Sequence, residues 1–146
     1  MTAANRPYGG SVLIADTSAR VRTHLPDLLE EWEAAVKADQ IVTCSIVTME
    51  LLFAARDADS VGQTEQVEAT LRQAPVTASV QRAAIGAVRE MAQRGAGAHR
   101  IPPPDILIAA TAQETGFGVL HYDRHYDRLT EVLNFDSIWI APPGSL

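Results

Sequence analysis

A chain of 146 residues with 47% apolar and 21% charged side chains has the size and composition of one folded domain, which excludes a disordered or fibrous chain. A formal net charge of −6 argues against gripping nucleic acid by bulk positive charge, because phosphate neutralisation by lysine and arginine dominates such binding. The single cysteine, Cys44, excludes an internal disulfide, and no apolar run approaches the length of a membrane span.

Residues 1–11 are polar, carry Pro7, Gly9 and Gly10, and lack the long apolar segment of a secretory signal. They read as a flexible arm before a single domain over 12–146, and the chain reads as cytoplasmic. Residues 12–15 form a short apolar run without polar alternation, as expected of a strand buried on both faces of a parallel sheet. Over 26–38, Leu28, Leu29, Trp32, Ala35 and Val36 recur at helical spacing, which places Trp32 in the core. Residues 41–44 predict a second strand and make Cys44 a buried thiol. Ser45 is the expected N-cap of a helix over 46–56. A helix over 60–73, a short strand at 75–77 and a helix from Val80 to about Gly95 follow. Residues 96–104 read as a loop with three consecutive prolines, and a helix opens at Asp105. A strand over 118–122, a short helix over 124–133 and a strand over 137–140 complete the chain. Strands alternating with helices predict a three-layer α/β/α sandwich around a mostly parallel sheet.

In such sheets ligands bind beyond the carboxyl ends of the strands. Asp16 directly follows the first strand and Asp123 the fourth. Asp105 opens a helix, and Glu50 lies between one and two turns into another. Helices that follow parallel strands begin at the same edge, so four carboxylates distant in sequence can meet there. Singly, Asp16 and Asp105 equally fit helix N-caps, and Asp123 fits a solvated turn. Glu50 resists a bland reading, since Ile46, Val47, Phe53 and Ala54 are its helical neighbours and a carboxylate on that stripe needs a partner or a metal. Four converging carboxylates require protons or cations between them, and oxygen ligands select hard ions such as Mg²⁺ or Mn²⁺. Such ions activate water and orient a phosphodiester. Thr17 and Ser18 offer hydroxyls that either orient a ligand water or cap the next helix.

At these residues the chain resembles the PIN-domain ribonucleases, and in particular the VapC-type toxins of bacterial toxin–antitoxin pairs. The resemblance rests on Asp16–Thr17–Ser18, Glu50 within 48–52, Asp105 within 104–110 and Asp123 within 121–124, and it extends from about Val12 to Ile140. It implies a PIN-like fold, Mg²⁺- or Mn²⁺-dependent endonucleolytic cleavage of RNA such as transfer or ribosomal RNA, a homodimer, and inhibition by a cognate VapB-type antitoxin. It assigns catalytic, metal-site roles to Asp16, Glu50, Asp105 and Asp123, with Asp16 and Asp105 as direct ligands and the other two binding directly or through water.

Two positions depart from many relatives. Where they carry a further acid, this chain has His125, with the next acid at Asp127. His125 is expected to face solvent, with a second metal or phosphate contact as its alternatives, and Asp127 to lie on a helix side. Where many relatives have a large apolar residue, this chain has Arg20, a candidate for contact with RNA or antitoxin. Arg100, Arg124 and Arg128 are further candidates for phosphate contact, whereas His24, His99 and His121 show no ligand spacing. The helices between Ser60 and Gly95 are expected to supply dimer or antitoxin contacts. The alternatives to a toxin are a non-catalytic RNA- or protein-binding module on the same fold, and a metal nuclease acting on DNA or in RNA maturation.

Overall fold

A computed structural model describes residues 6–146. Five strands form one parallel sheet in the order β3-β2-β1-β4-β5. They are β1 (Leu13–Ala15), β2 (Ile41–Thr43), β3 (Arg72–Gln73), β4 (Gly118–His121) and β5 (Ser137–Trp139). The described helices are α1 (Thr17–Arg20), α2 (Pro26–Lys37), α3 (Ser45–Phe53), α4 (Ala58–Glu68), α5 (Ala78–Gln93), α6 (Pro103–Thr115) and α7 (Arg124–Leu129).

The pleat divides the core between two faces. Ile14, Val42 and Val119 point to one face and pack with side chains of α3, α5, α6 and α7. Leu13, Ala15, Ile41 and Leu120 point to the other, with Ala19, Leu28 and Ala35 of α1 and α2. The result is the three-layer sandwich expected from the sequence. The first strands step outward from β1 through β2 to β3, and then the chain returns past β1 to β4 and β5. The strand order therefore reverses between β1 and β4, the kind of crevice where open α/β sheets bind ligands.

Close packing at the opposite edge of the sheet requires glycine where β4 begins. A Cβ on Gly118 would lie 2.6 Å from the Asp136 backbone carbonyl oxygen and 2.8 Å from Leu13 Cδ2, so a side chain there would push the start of β4 from the segment leading into β5. Asp16 N donates to Leu120 O at 2.9 Å, which locks the end of β1 against β4.

Several boundaries differ from expectation. The third strand lies at Arg72–Gln73 rather than 75–77, because Pro75 lacks a ladder donor and the edge position tolerates exposed polar side chains. The fourth helix ends at Glu68, not at residue 73. Cys44, with extended backbone, is the N-cap of α3, and Ser45 is its first helical residue. The sixth helix opens at Pro103, two residues before Asp105, since proline at the first helical positions sacrifices no intrahelical bond. Cys44 is fully buried, as expected, and burial pushes its thiol up. Trp32 is half-buried, while Leu29 and Val36 of the same stripe are exposed. Of the proposed flexible arm, residues 1–5 lie outside the described residues. Residues 6–11 are tied down: Tyr8 N donates to Gln40 Oε1, and Gln40 Nε2 donates to Gly9 O and Ser11 O.

Candidate metal centre

The carboxyl ends of β1 and β4 deliver Asp16 and Asp123, and each caps the helix that follows. Asp16 Oδ2 accepts from Ser18 N at 3.0 Å, and Asp123 Oδ1 accepts from His125 N at 2.9 Å. The capping roles are therefore real, and they fix the two carboxylates at the crevice. Asp105 sits in the first turn of α6, where the positive end of the helix dipole favours an anion. Glu50 reaches over from α3, half-buried, and Thr17 Oγ1 donates to its Oε1 at 3.1 Å.

One oxygen of Asp105, one of Asp123 and a ring nitrogen of His125 lie within 4.8 Å of one another. His125 Nδ1 is 2.9 Å from Asp105 Oδ2 and 3.2 Å from Asp123 Oδ1. Asp16 and Glu50 complete the constellation electrostatically. Burial pushes the carboxyl of Asp105 up to about 6, the His125 hydrogen bond opposes that, and the charges of Asp16 and Asp123 add to it. Burial also raises Glu50, with Thr17 opposing and Asp16 reinforcing. A pocket of mutually repelling carboxylates with one imidazole is a donor set that fits a hard or borderline dication.

His125, expected to face solvent, instead joins this cluster with a side chain 34% exposed, because its position as second residue of α7 turns the ring toward Asp105. Thr17 and Ser18 orient the acids themselves. Ser18 Oγ donates to Asp16 Oδ2 at 2.5 Å and accepts from Tyr122 N at 2.9 Å. Asp127 stands apart from the cluster and accepts from the Trp139 indole at 3.1 Å, which anchors β5.

Arg20 is engaged within the fold through its guanidinium. Its side chain is 8% exposed and paired with the buried Glu68, which also accepts from Thr43 and Thr48, and it lies over the Trp32 ring. A buried glutamate requires such a partner. Arg100 and Arg124 are exposed; Arg124 lines a cleft of about 460 Å³ together with Tyr122, Asp123 and His125. Arg128 Nη2 donates to Ala98 O.

The sequence reading missed His121 and Tyr126. His121 is fully buried, accepts from Asp123 N through Nδ1 at 3.1 Å and contacts Ser137 Oγ through Nε2 at 2.7 Å. Burial pushes its pKa down to about 4, so the neutral ring serves as a backbone brace for Asp123. Tyr126 OH donates to Asp16 Oδ1 at 2.7 Å. The only signal for either was its nearness in sequence to Asp123, His121 at the end of β4 and Tyr126 in the first turn of α7.

The chain matches the family model described as the PIN domain over residues 11–132. It is similar to Ribonuclease VapC18 of Mycobacterium tuberculosis, with 35% identity over 136 residues that span 92% of this chain and 99% of that protein. It is also similar to Ribonuclease VapC51 of that organism, with 30% identity over 133 residues, 91% of this chain and 96% of that protein. Among solved structures, its fold is similar to a chain of DNA-bound VapBC from Salmonella typhimurium, with a TM-score of 0.70 and 17% identity over 88% of this chain and 98% of that one. VapBC-5 from Mycobacterium tuberculosis gives a TM-score of 0.61 and 22% identity over 87% and 97% of the two chains.

Proposed function

The chain belongs to the PIN domain family, and from that premise we propose that it is a divalent-metal-dependent endoribonuclease, the toxin of a type II toxin–antitoxin pair. The observation that carries this reading is the convergence of Asp105, Asp123 and His125 at the carboxyl edge of the sheet, with Asp16 and Glu50 beside them. Relatives of full matching length that are named ribonucleases support the chemistry.

Asp16, Glu50, Asp105 and Asp123 are the proposed catalytic residues. Asp105, Asp123 and Asp16 would hold the ion, His125 would add a nitrogen donor, and Glu50 would bind it directly or through water from the α3 side. Mg²⁺ or Mn²⁺ bound there supplies an activated water and stabilises charge on the phosphate. Thr17, Ser18 and His121 keep the acids in place before substrate arrives. The acids lie between the cleft beside Arg124 and a groove of about 540 Å³ lined by Thr17, Met49, Glu50, Phe53 and Pro104. An RNA strand such as a loop of transfer or ribosomal RNA would pass from one to the other, leaving a 5′-phosphate and a 3′-hydroxyl.

The partners proposed are a VapB-type antitoxin and a second copy of the chain. Met49, Phe53, Val67 and Ile85 are large apolar residues left exposed, and such surface supports protein contacts. Among the described residues no helix is long and apolar enough to cross a membrane, and the proposed place of action is the cytoplasm.

The test is cleavage of RNA by the purified chain. We expect cutting with Mg²⁺ or Mn²⁺ that EDTA stops, and at least about a hundredfold loss in Asp105→Asn with its circular dichroism unchanged, in line with the loss of a central electrostatic group. Undiminished metal-dependent cutting by that variant would refute the assignment. Growth arrest on expression, relieved by a neighbouring small reading frame, separates a toxin from a maturation nuclease.

A further inference from the structure

We propose that Tyr126 is a positioning residue whose hydroxyl, together with Ser18, fixes the carboxylate of Asp16 and leaves it one open position, on Oδ1, for a divalent cation. The inference deepens the ribonuclease reading and rests on Asp16 being a ligand.

Tyr126 lies on α7 and is completely buried. A buried phenol needs a hydrogen-bond partner, and this one finds Asp16 Oδ1 at 2.7 Å, 110 residues away in sequence. Its ring packs against His121 at 4.8 Å and edge-on to Phe135 at 6.5 Å. A phenylalanine would fill the same space and keep both contacts. The hydroxyl therefore serves Asp16, not the core.

An ionised carboxylate offers about four acceptor positions. Two on Oδ2 are taken by Ser18 N at 3.0 Å and Ser18 Oγ at 2.5 Å. The Ser18 hydroxyl is held in that direction because it accepts from Tyr122 N. Tyr126 takes a third position, on Oδ1. One remains, so Asp16 binds a cation through a single oxygen, the same one that Tyr126 holds. Groups that orient a ligand from behind commonly change metal affinity ten- to a hundredfold when removed.

The experiment is Mn²⁺ binding to the whole purified chain, read by electron paramagnetic resonance of the free ion, with Tyr126→Phe beside wild type. We expect the Kd for Mn²⁺ to rise about tenfold while circular dichroism is unchanged. In RNA cleavage, the Mn²⁺ concentration for half-maximal rate should rise by a similar factor, and kcat at saturating Mn²⁺ should move less. A packing role alone is met by phenylalanine and would leave every one of these readouts unmoved. Wild-type binding with an unchanged or tighter Kd in Tyr126→Phe overturns the inference alone. Wild-type protein that takes up no Mn²⁺ removes the ribonuclease reading and this inference with it. Should Tyr126→Phe not fold, a crystal of Mn²⁺-loaded wild type decides: Asp16 bound through Oδ1 with the Tyr126 bond kept supports the proposal, and bidentate Asp16 or a released Tyr126 overturns it.

Discussion

Asp105 binds its proton more tightly in the folded chain than an exposed aspartate does, since burial pushes its pKa from 3.8 to about 6. Between those values the native state holds more protons than the unfolded one, so the stability tied to this group falls as pH rises through that window. His121 works in the opposite sense. Burial lowers it from 6.5 to about 4, so its contribution is full above 6.5 and is lost as pH falls toward 4. The two slopes offset each other in the metal-free protein. Replacing Asp105 by asparagine removes its opposing slope and leaves that of the histidine, to which the lowered Glu68 carboxyl adds in the same sense. Metal-free Asp105→Asn is therefore predicted to gain stability from pH 4 to 6.5 in urea unfolding. At pH 7.5 it should exceed wild type by about 1–2 kcal/mol, with solvent screening allowed for. Mn²⁺ should reverse that order, and a less stable metal-free variant would contradict the account. At this scale the positions of Asp16, Asp105 and Asp123 were legible, because strand ends and a helix start mark them. The sequence did not show His125, His121 or Tyr126, whose roles depend on which way α7 faces once Asp123 caps it.

Arg20 and Glu68 join elements that sequence reading leaves separate. Arg20 ends α1 and Glu68 ends α4, and their ion pair is sealed beneath Thr43 of β2 and Thr48 of α3. Burial alone would raise the Glu68 carboxyl, yet the hydrogen bond and charge of Arg20 bring it below its ordinary value. Removing one member of a buried pair strands the other charge. Glu68→Ala is predicted to destabilise the chain by about 3 kcal/mol in chemical denaturation. A change near zero would show that Arg20 escapes to solvent. The apolar runs of β1, β2 and β4 and the stripe of α5 were legible from period and composition. The edge strand β3 was not, because two exposed polar residues carry no hydrophobic signal. The end of α4 was hidden for a related reason: a buried glutamate reads as a surface residue until its arginine is known.

Across the molecule, a chain with net charge −6 gathers Asp16, Asp105 and Asp123 where the strand order reverses. The bond from Asp16 N to Leu120 O keeps the ends of β1 and β4 close, and α6 and α7 bring Asp105 and His125 over the gap. The α/β/α architecture was readable from alternation alone, whereas the placement of the sheet reversal over the acids required the fold. The acidic balance that argues against bulk nucleic-acid binding is thus compatible with a nuclease, since a bound dication inverts the local sign. Anomalous diffraction at the manganese edge from a crystal soaked in Mn²⁺ tests this most directly. The account predicts a peak bonded to oxygens of Asp105 and Asp123, with Asp16 at the same ion and Glu50 close by. A map with no peak between those carboxylates, or with manganese only elsewhere on the surface, would contradict it.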